Sequence, residues 1–139
     1  MGYQSDWLYR LIVREISTTL ERAKSVAYEA QQPERILVSE YAAADWSYPR
    51  CVGEQIRQWV FEGNELHPVD PSHAICNPEE DGVFFREVTF QFHIRPDRRR
   101  VAFTYAFGPR HGHGVIFDVL GQGQSGRLEQ NREMPQWVS

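Results

Sequence analysis

A chain of 139 residues with a 41% hydrophobic share, 24% charged residues and 13% aromatics fits one domain that removes about 70% of its unfolded surface from water, and it is too apolar for intrinsic disorder. Its formal charge of −4 argues against dedicated nucleic-acid binding, which draws its affinity from neutralised phosphates; nucleic acid is disfavoured as a partner, with a local basic patch as the one opening for it. The apolar runs fall far short of the ~20 residues that span a bilayer, and no signal peptide is legible. Cys51 and Cys76 are therefore expected as reduced thiols in a cytoplasmic chain without membrane association.

From Tyr3 to about Ala30 the sequence contains neither glycine nor proline, and Leu8, Leu11, Ile12, Ile16, Leu20, Ala23, Ala27 and Ala30 recur at helical spacing. That pattern predicts an amphipathic helix with Ser5 as its cap and Asp6 at the positive end of its dipole. Gln31-Gln32-Pro33 ends it. Ile36, Leu37, Val38 and Tyr41 form a short β-prone run, and Ala42 to Trp46 suits a helical turn equally well. Cys51, Ile56, Trp59, Val60 and Phe61 lie close to helical spacing ahead of Gly63, which predicts a short second helix. Between Asn64 and Gly82, Pro68, Pro71 and Pro78 point to a polar loop that also carries His67, His73 and the acidic run Glu79-Glu80-Asp81.

The stretches Val83 to Arg95 and Arg99 to Phe107 both alternate apolar and polar residues, which is the signature of half-buried strands. Centred on Pro96-Asp97, an antiparallel register pairs Phe92 with Val101, Phe90 with Phe103 and Val88 with Tyr105, so that every large apolar residue shares one side. Val115 to Leu120 is apolar on both faces except at Asp118 and reads as an internal strand. The residues from Gly121 onward read as a flexible tail that Met134 and Trp137 could dock. The expected architecture is α+β, a single domain over 1–139 with a tail at about 121–139. N-terminal helices pack on one face of a mainly antiparallel sheet of about four strands, with the hairpin 83–107 at its centre.

Three groups of residues could carry chemistry. His111, His113 and Asp118 offer two imidazoles and a carboxylate to a metal. From Gly108 to Gly121 this segment resembles the first metal motif of the cupins, but Asp118 stands where glutamate belongs, the upstream glycine spacing is short, and the remaining 18 residues hold no second motif. Arg98 and Arg100 at the hairpin tip, with Arg110 and His111 from the next loop, suit contacts to a phosphate or another anionic ligand, RNA included. Glu87, Thr89, His93 and Thr104 on the polar face of the hairpin would line a pocket if that face were covered, as in a cone resembling the nuclear-transport-factor-like fold. Glu87 and His93 lie ~20 Å apart along a strand, too far to share a proton.

No nucleophile–base order is defensible, and Gly121-x-Gly123-x-x-Gly126 lacks the helix that a dinucleotide fingerprint requires. No catalytic residue and no cofactor is expected. The four tryptophans read as core or subunit-contact residues rather than base-stacking platforms. The leading expectation is a non-enzymatic cytoplasmic protein that works through protein contacts, an accessory, immunity-like or chaperone-like partner that could form a homodimer. The alternatives are a small cone-shaped enzyme or ligand-binding protein, and a phosphate- or RNA-binding site at the arginine-rich tip.

Overall fold

A computed structural model describes residues 6–25, 35–46, 50–69, 87–107 and 112–138, with Arg50, Glu87, Trp137 and Val138 described by backbone alone. Helix α1 spans Trp7–Ala23. Its cap is Asp6 rather than Ser5: the backbone there is extended, and the side chain accepts the Leu8 N–H at 2.9 Å. The aspartate thus satisfies an orphan donor and places its charge at the positive end of the dipole. Leu8, Leu11, Ile12, Ile16, Leu20 and Ala23 form the buried stripe that the spacing predicts. The expected continuation through Ala27 and Ala30 lies outside the described residues.

The strands are β1 (Arg35–Asp45), β2 (Arg50–Glu62), β3 (Glu65–Pro68), β4 (Glu87–Ile94), β5 (Arg100–Phe107), β6 (Gly112–Leu120), β7 (Arg127–Gln130) and β8 (Trp137–Val138). They make one mixed sheet in the order β3-β2-β1-β4-β5-β6-β7, with β8 pairing β6 off that path. The α+β class stands, but the sheet is larger than the four strands expected, and α1 is the only α-helix among the described residues. β1 and β4 run parallel, and every other neighbour is antiparallel. No helix among the described residues is long and apolar enough to cross a membrane.

The second predicted helix is strand β2. Trp59 and Phe61 are buried, with the less buried Val60 between them, so the true period is two, and aromatic and β-branched residues favour a pleated surface. Gly63 does not stop a helix. With φ of +61° and +60°, Gly63 and Asn64 form a tight two-residue turn of the type whose twist suits a hairpin. It brings β3 back along β2 with Glu62 opposite Glu65. The expected loop therefore begins with a strand, and Pro68 is tolerated because β3 lies at the sheet edge. β1 likewise continues through Ala42 to Asp45 instead of turning helical.

In the central hairpin Phe92 pairs with Phe103, Phe90 with Tyr105, Val88 with Phe107 and Ile94 with Val101. This is two residues away from the expected register, an even shift that leaves every side chain on its predicted face. The displacement comes from the turn. Arg98 N–H bonds to the Arg95 carbonyl at 2.7 Å, and Arg98 adopts φ +59°, which lengthens the connection beyond the Pro96-Asp97 pair. β6 is internal, between β5 and β7. The segment expected as a flexible tail carries a 3-10 turn at Gly123–Ser125 and two short strands on β6.

α1 covers one face of the sheet, packing in a single core with Val38, Trp59, Phe61, Val88, Phe90, Phe92, Val101, Phe103, Phe107, Val115 and Phe117. The other face holds a second, smaller cluster of Cys51, Ala102 and Ile116, with Tyr41, Ala44, Trp46 and Met134 against it.

Candidate functional site

The second cluster exists because the β1–β2 hairpin bends. Register shifts fall between Glu40 and Tyr41 and between Tyr41 and Ala43, and such irregularities kink a strand and increase its twist. Gly53 helps: it sits at φ +99°, and a Cβ there would lie 3.3 Å from that of Ala43. The distal half of the hairpin, here called the arm, thereby folds across the sheet, and the Cys51 thiol reaches the Ala102 carbonyl of β5 at 4.0 Å. Burial pushes that thiol up to about 12 against a lowering contact from Thr104, so Cys51 is a free but inert core thiol.

Beneath the arm, His93 is 6% exposed. Its Nδ1 lies 2.9 Å from the Tyr41 carbonyl. A carbonyl only accepts, so Nδ1 carries the proton and Nε2 is left as the basic nitrogen in the neutral ring. The Trp46 ring stands 5.6 Å away, and Gln91 donates to the Tyr41 hydroxyl at 3.4 Å. Of the residues expected to line a pocket, His93 and Thr104 are buried on this face and Thr89 is half-buried. They face Ala102, Gln91 and Ala106 respectively, one pair along from the expected partners. Glu87 begins β4 beside Arg35; its side chain is not among those described. The cover over this face includes the strand hairpin of the arm.

At the tip, Arg98 turns back to α1, donating to the Asp6 carboxylate at 2.6 Å and standing 5.8 Å over the Trp7 ring. Burial alone would raise the Asp6 pKa, but Arg98 and the Leu8 N–H outweigh it and hold it below its ordinary value. Arg100 points to the opposite face and donates to Asp118 at 3.2 Å. The other oxygen of Asp118 accepts from Asn131 at 2.9 Å. The two arginines are therefore not brought together, and both charges are engaged within the fold. Arg110 and His111 lie outside the described residues.

The candidate metal ligands also diverge. His113 stacks on Tyr105 at 5.4 Å, on the α1 side, where burial lowers its pKa. Asp118, five positions on, faces the other way toward Arg100. Among the described residues no group of three or more His, Cys, Asp or Glu side chains could hold a metal.

Two features were missed in the sequence. Glu40 lies on the α1 side of β1, in the same alternation as Ile36 and Val38, and is 6% exposed. The Tyr9 hydroxyl donates to its two oxygens at 2.7 and 2.8 Å. Arg57 donates to Tyr9 at 3.0 Å and to Glu40 at 3.5 Å. The legible signal was a carboxylate at an apolar-face position of a β-prone run. The second feature is the outer surface of the arm, where Val52 and Ile56 are 43% and 47% exposed, the large hydrophobics that stand in solvent among the described residues. β3 pairs with β2 only from Trp59 to Glu62. Comparison with known proteins found no family model, no curated protein and no solved structure that this chain matches.

Proposed function

We propose that this chain is a cytoplasmic, non-enzymatic binding protein that engages a protein partner, in an accessory, immunity-like or chaperone-like role, through the outer surface of the β1–β2 arm. The observation that carries the reading is the exposure of Val52 and Ile56 on the stretch of β2 that β3 does not pair with, whereas the other large apolar side chains among the described residues are at least partly withdrawn from water. Exposed apolar groups on an accessible edge favour association. The test is quantitative capture from source cells with the wild-type chain, Ile56→Lys, and Glu62→Lys as an exposed control on the same strand. The reading expects a protein retained by wild type and control and depleted about tenfold by Ile56→Lys, a loss of roughly 1.4 kcal/mol. Equal recovery with all three chains, or recovery of nothing, refutes it. A homodimer would appear as the chain recovering its own copies.

A second reading, a small cone-shaped enzyme or ligand-binding protein, is favoured by His93, a buried imidazole whose proton is fixed on Nδ1 by the Tyr41 carbonyl. A ligand bound there would raise the unfolding temperature of the wild type and not of His93→Asn. A phosphate or RNA site at Arg98, Arg100, Arg110 and His111 has less support, because Asp6 and Asp118 already neutralise two of its cations.

A further inference from the structure

Glu40 stands where the regular sheet ends and the arm begins. It is paired with Arg57, and the register shifts at the next residue. Its buried carboxylate joins three elements: itself in β1, the Tyr9 hydroxyl of α1, and the Arg57 guanidinium of β2. The following residue, Tyr41, gives its carbonyl to His93 of β4. Two consecutive residues thus tie the seat of the helix, the root of the arm and the covered face together.

The two attachments of Glu40 respond differently to a proton. A neutral carboxyl still accepts the Tyr9 hydroxyl on its carbonyl oxygen, whereas its charge attraction to Arg57 disappears and leaves Arg57 with its neutral hydrogen bond to the Tyr9 hydroxyl at 3.0 Å. The Arg57 side chain is 56% exposed, so water can replace that remaining bond at little cost. We infer that Glu40 is a proton-operated hinge pin: on taking up a proton it keeps α1 seated but loses its charge hold on Arg57, so the root of the arm loosens in mild acid while the helix does not.

Burial favours that proton uptake by raising the Glu40 pKa, opposed by Tyr9, Arg57 and His93 and reinforced by Asp6. The groups facing it are Tyr9 and Asp6 from the helix, Arg57 from β2 and His93 from β4. Of these, His93 needs its own control, because its Nδ1 is bonded to the adjacent Tyr41 carbonyl. The hinge concerns the chain alone, whereas its use to modulate the exposed surface at Val52 and Ile56 rests on the binding role proposed above.

The experiment is amide hydrogen exchange at residues 50–58 and across α1, at about pH 5 and about pH 7.5 with intrinsic rates corrected, on the isolated chain. Wild-type protection at the arm root should fall severalfold at the lower pH while α1 is unchanged. Glu40→Gln should show weak arm protection at both values, and His93→Asn should keep the wild-type response. If Glu40→Gln does not fold, Arg57→Gln takes its place and should likewise be flat. Equal wild-type protection at both pH values, loss of the response in His93→Asn, or its persistence without the Glu40 carboxylate overturns the inference. None of these outcomes depends on a partner, so the binding role can fail separately.

Discussion

Gly126 offers a steric test of how the chain's two ends are fastened. Its backbone, φ −65° and ψ 140°, suits any residue, so substitution carries no conformational penalty of its own. A Cβ would nevertheless lie 2.8 Å from two atoms of the Trp7 ring and 3.2 Å from the Gly123 carbonyl. Gly126→Ala should gain about 0.4–1 kcal/mol from a less flexible unfolded chain and lose about 1–3 kcal/mol to overpacking. The net expectation is a destabilisation of about 1–2 kcal/mol, because Trp7 is itself held by Arg98 and the capped start of α1 and cannot swing away freely. Urea unfolding followed by tryptophan fluorescence measures it. A double-mutant cycle with Trp7→Leu isolates the clash, since the smaller side chain should remove most of the cost. A neutral or stabilising Gly126→Ala, or an equal cost in the Trp7→Leu background, would refute the assignment of Trp7 as the obstacle.

Other expectations can be checked in the same unfolding assay. Arg98→Ala should cost about 0.5–1.5 kcal/mol through the lost partly exposed ion pair and ring contact. Arg98→Gly should be milder, because the φ of +59° strains every side chain but not glycine. Asp6 has a folded pKa below its ordinary 3.8, so the stability it adds is complete above that unfolded value and lost as pH falls through the folded one. Asp6→Asn should therefore flatten the pH dependence of stability below about pH 4 and leave its slope near neutrality unchanged. Native Cys51 should resist iodoacetamide at neutral pH and react once the chain is unfolded, as expected of a buried thiol whose pKa is pushed up to about 12; rapid native labelling at Cys51 by peptide mapping would contradict its packing against Ala102.

The sequence made some of this legible and hid the rest for identifiable reasons. Alternation in the central hairpin gave the correct faces, because period two survives an even slip. It could not give the register, which depends on Arg98 adopting a left-handed backbone that its side chain does not advertise. β2 hides in the sequence because Cys51, Ile56, Trp59 and Val60 happen to recur near a helical period, and a glycine such as Gly63 suits a helix stop as well as a hairpin turn. Residue type suggested where chemistry could lie, but which residues come together depends on the fold. His113 and Asp118 are separated by an odd number of positions on one strand, which puts them on opposite faces. The pairing of Arg98 with Asp6 joins residues 92 apart in sequence and is invisible without the fold. Glu40 was readable in principle, but Tyr9 and Arg57, the partners that make it tolerable, were not.

The parallel seam between β1 and β4 divides the molecule into two antiparallel meanders, β1 to β3 and β4 to β7, each built from neighbours in sequence. Arg35 meets Glu87 across that seam, so closing it requires ordering the ends of a long span of chain, an entropic cost that local hairpins avoid. α1 bridges the same divide, with Tyr9 edge-on to Trp59 of one meander and Phe92 of the other. The topology leads us to expect late docking of the two ribbons under a helical clasp, so in stopped-flow folding and unfolding Leu37→Ala or Val38→Ala should accelerate unfolding more than it retards folding.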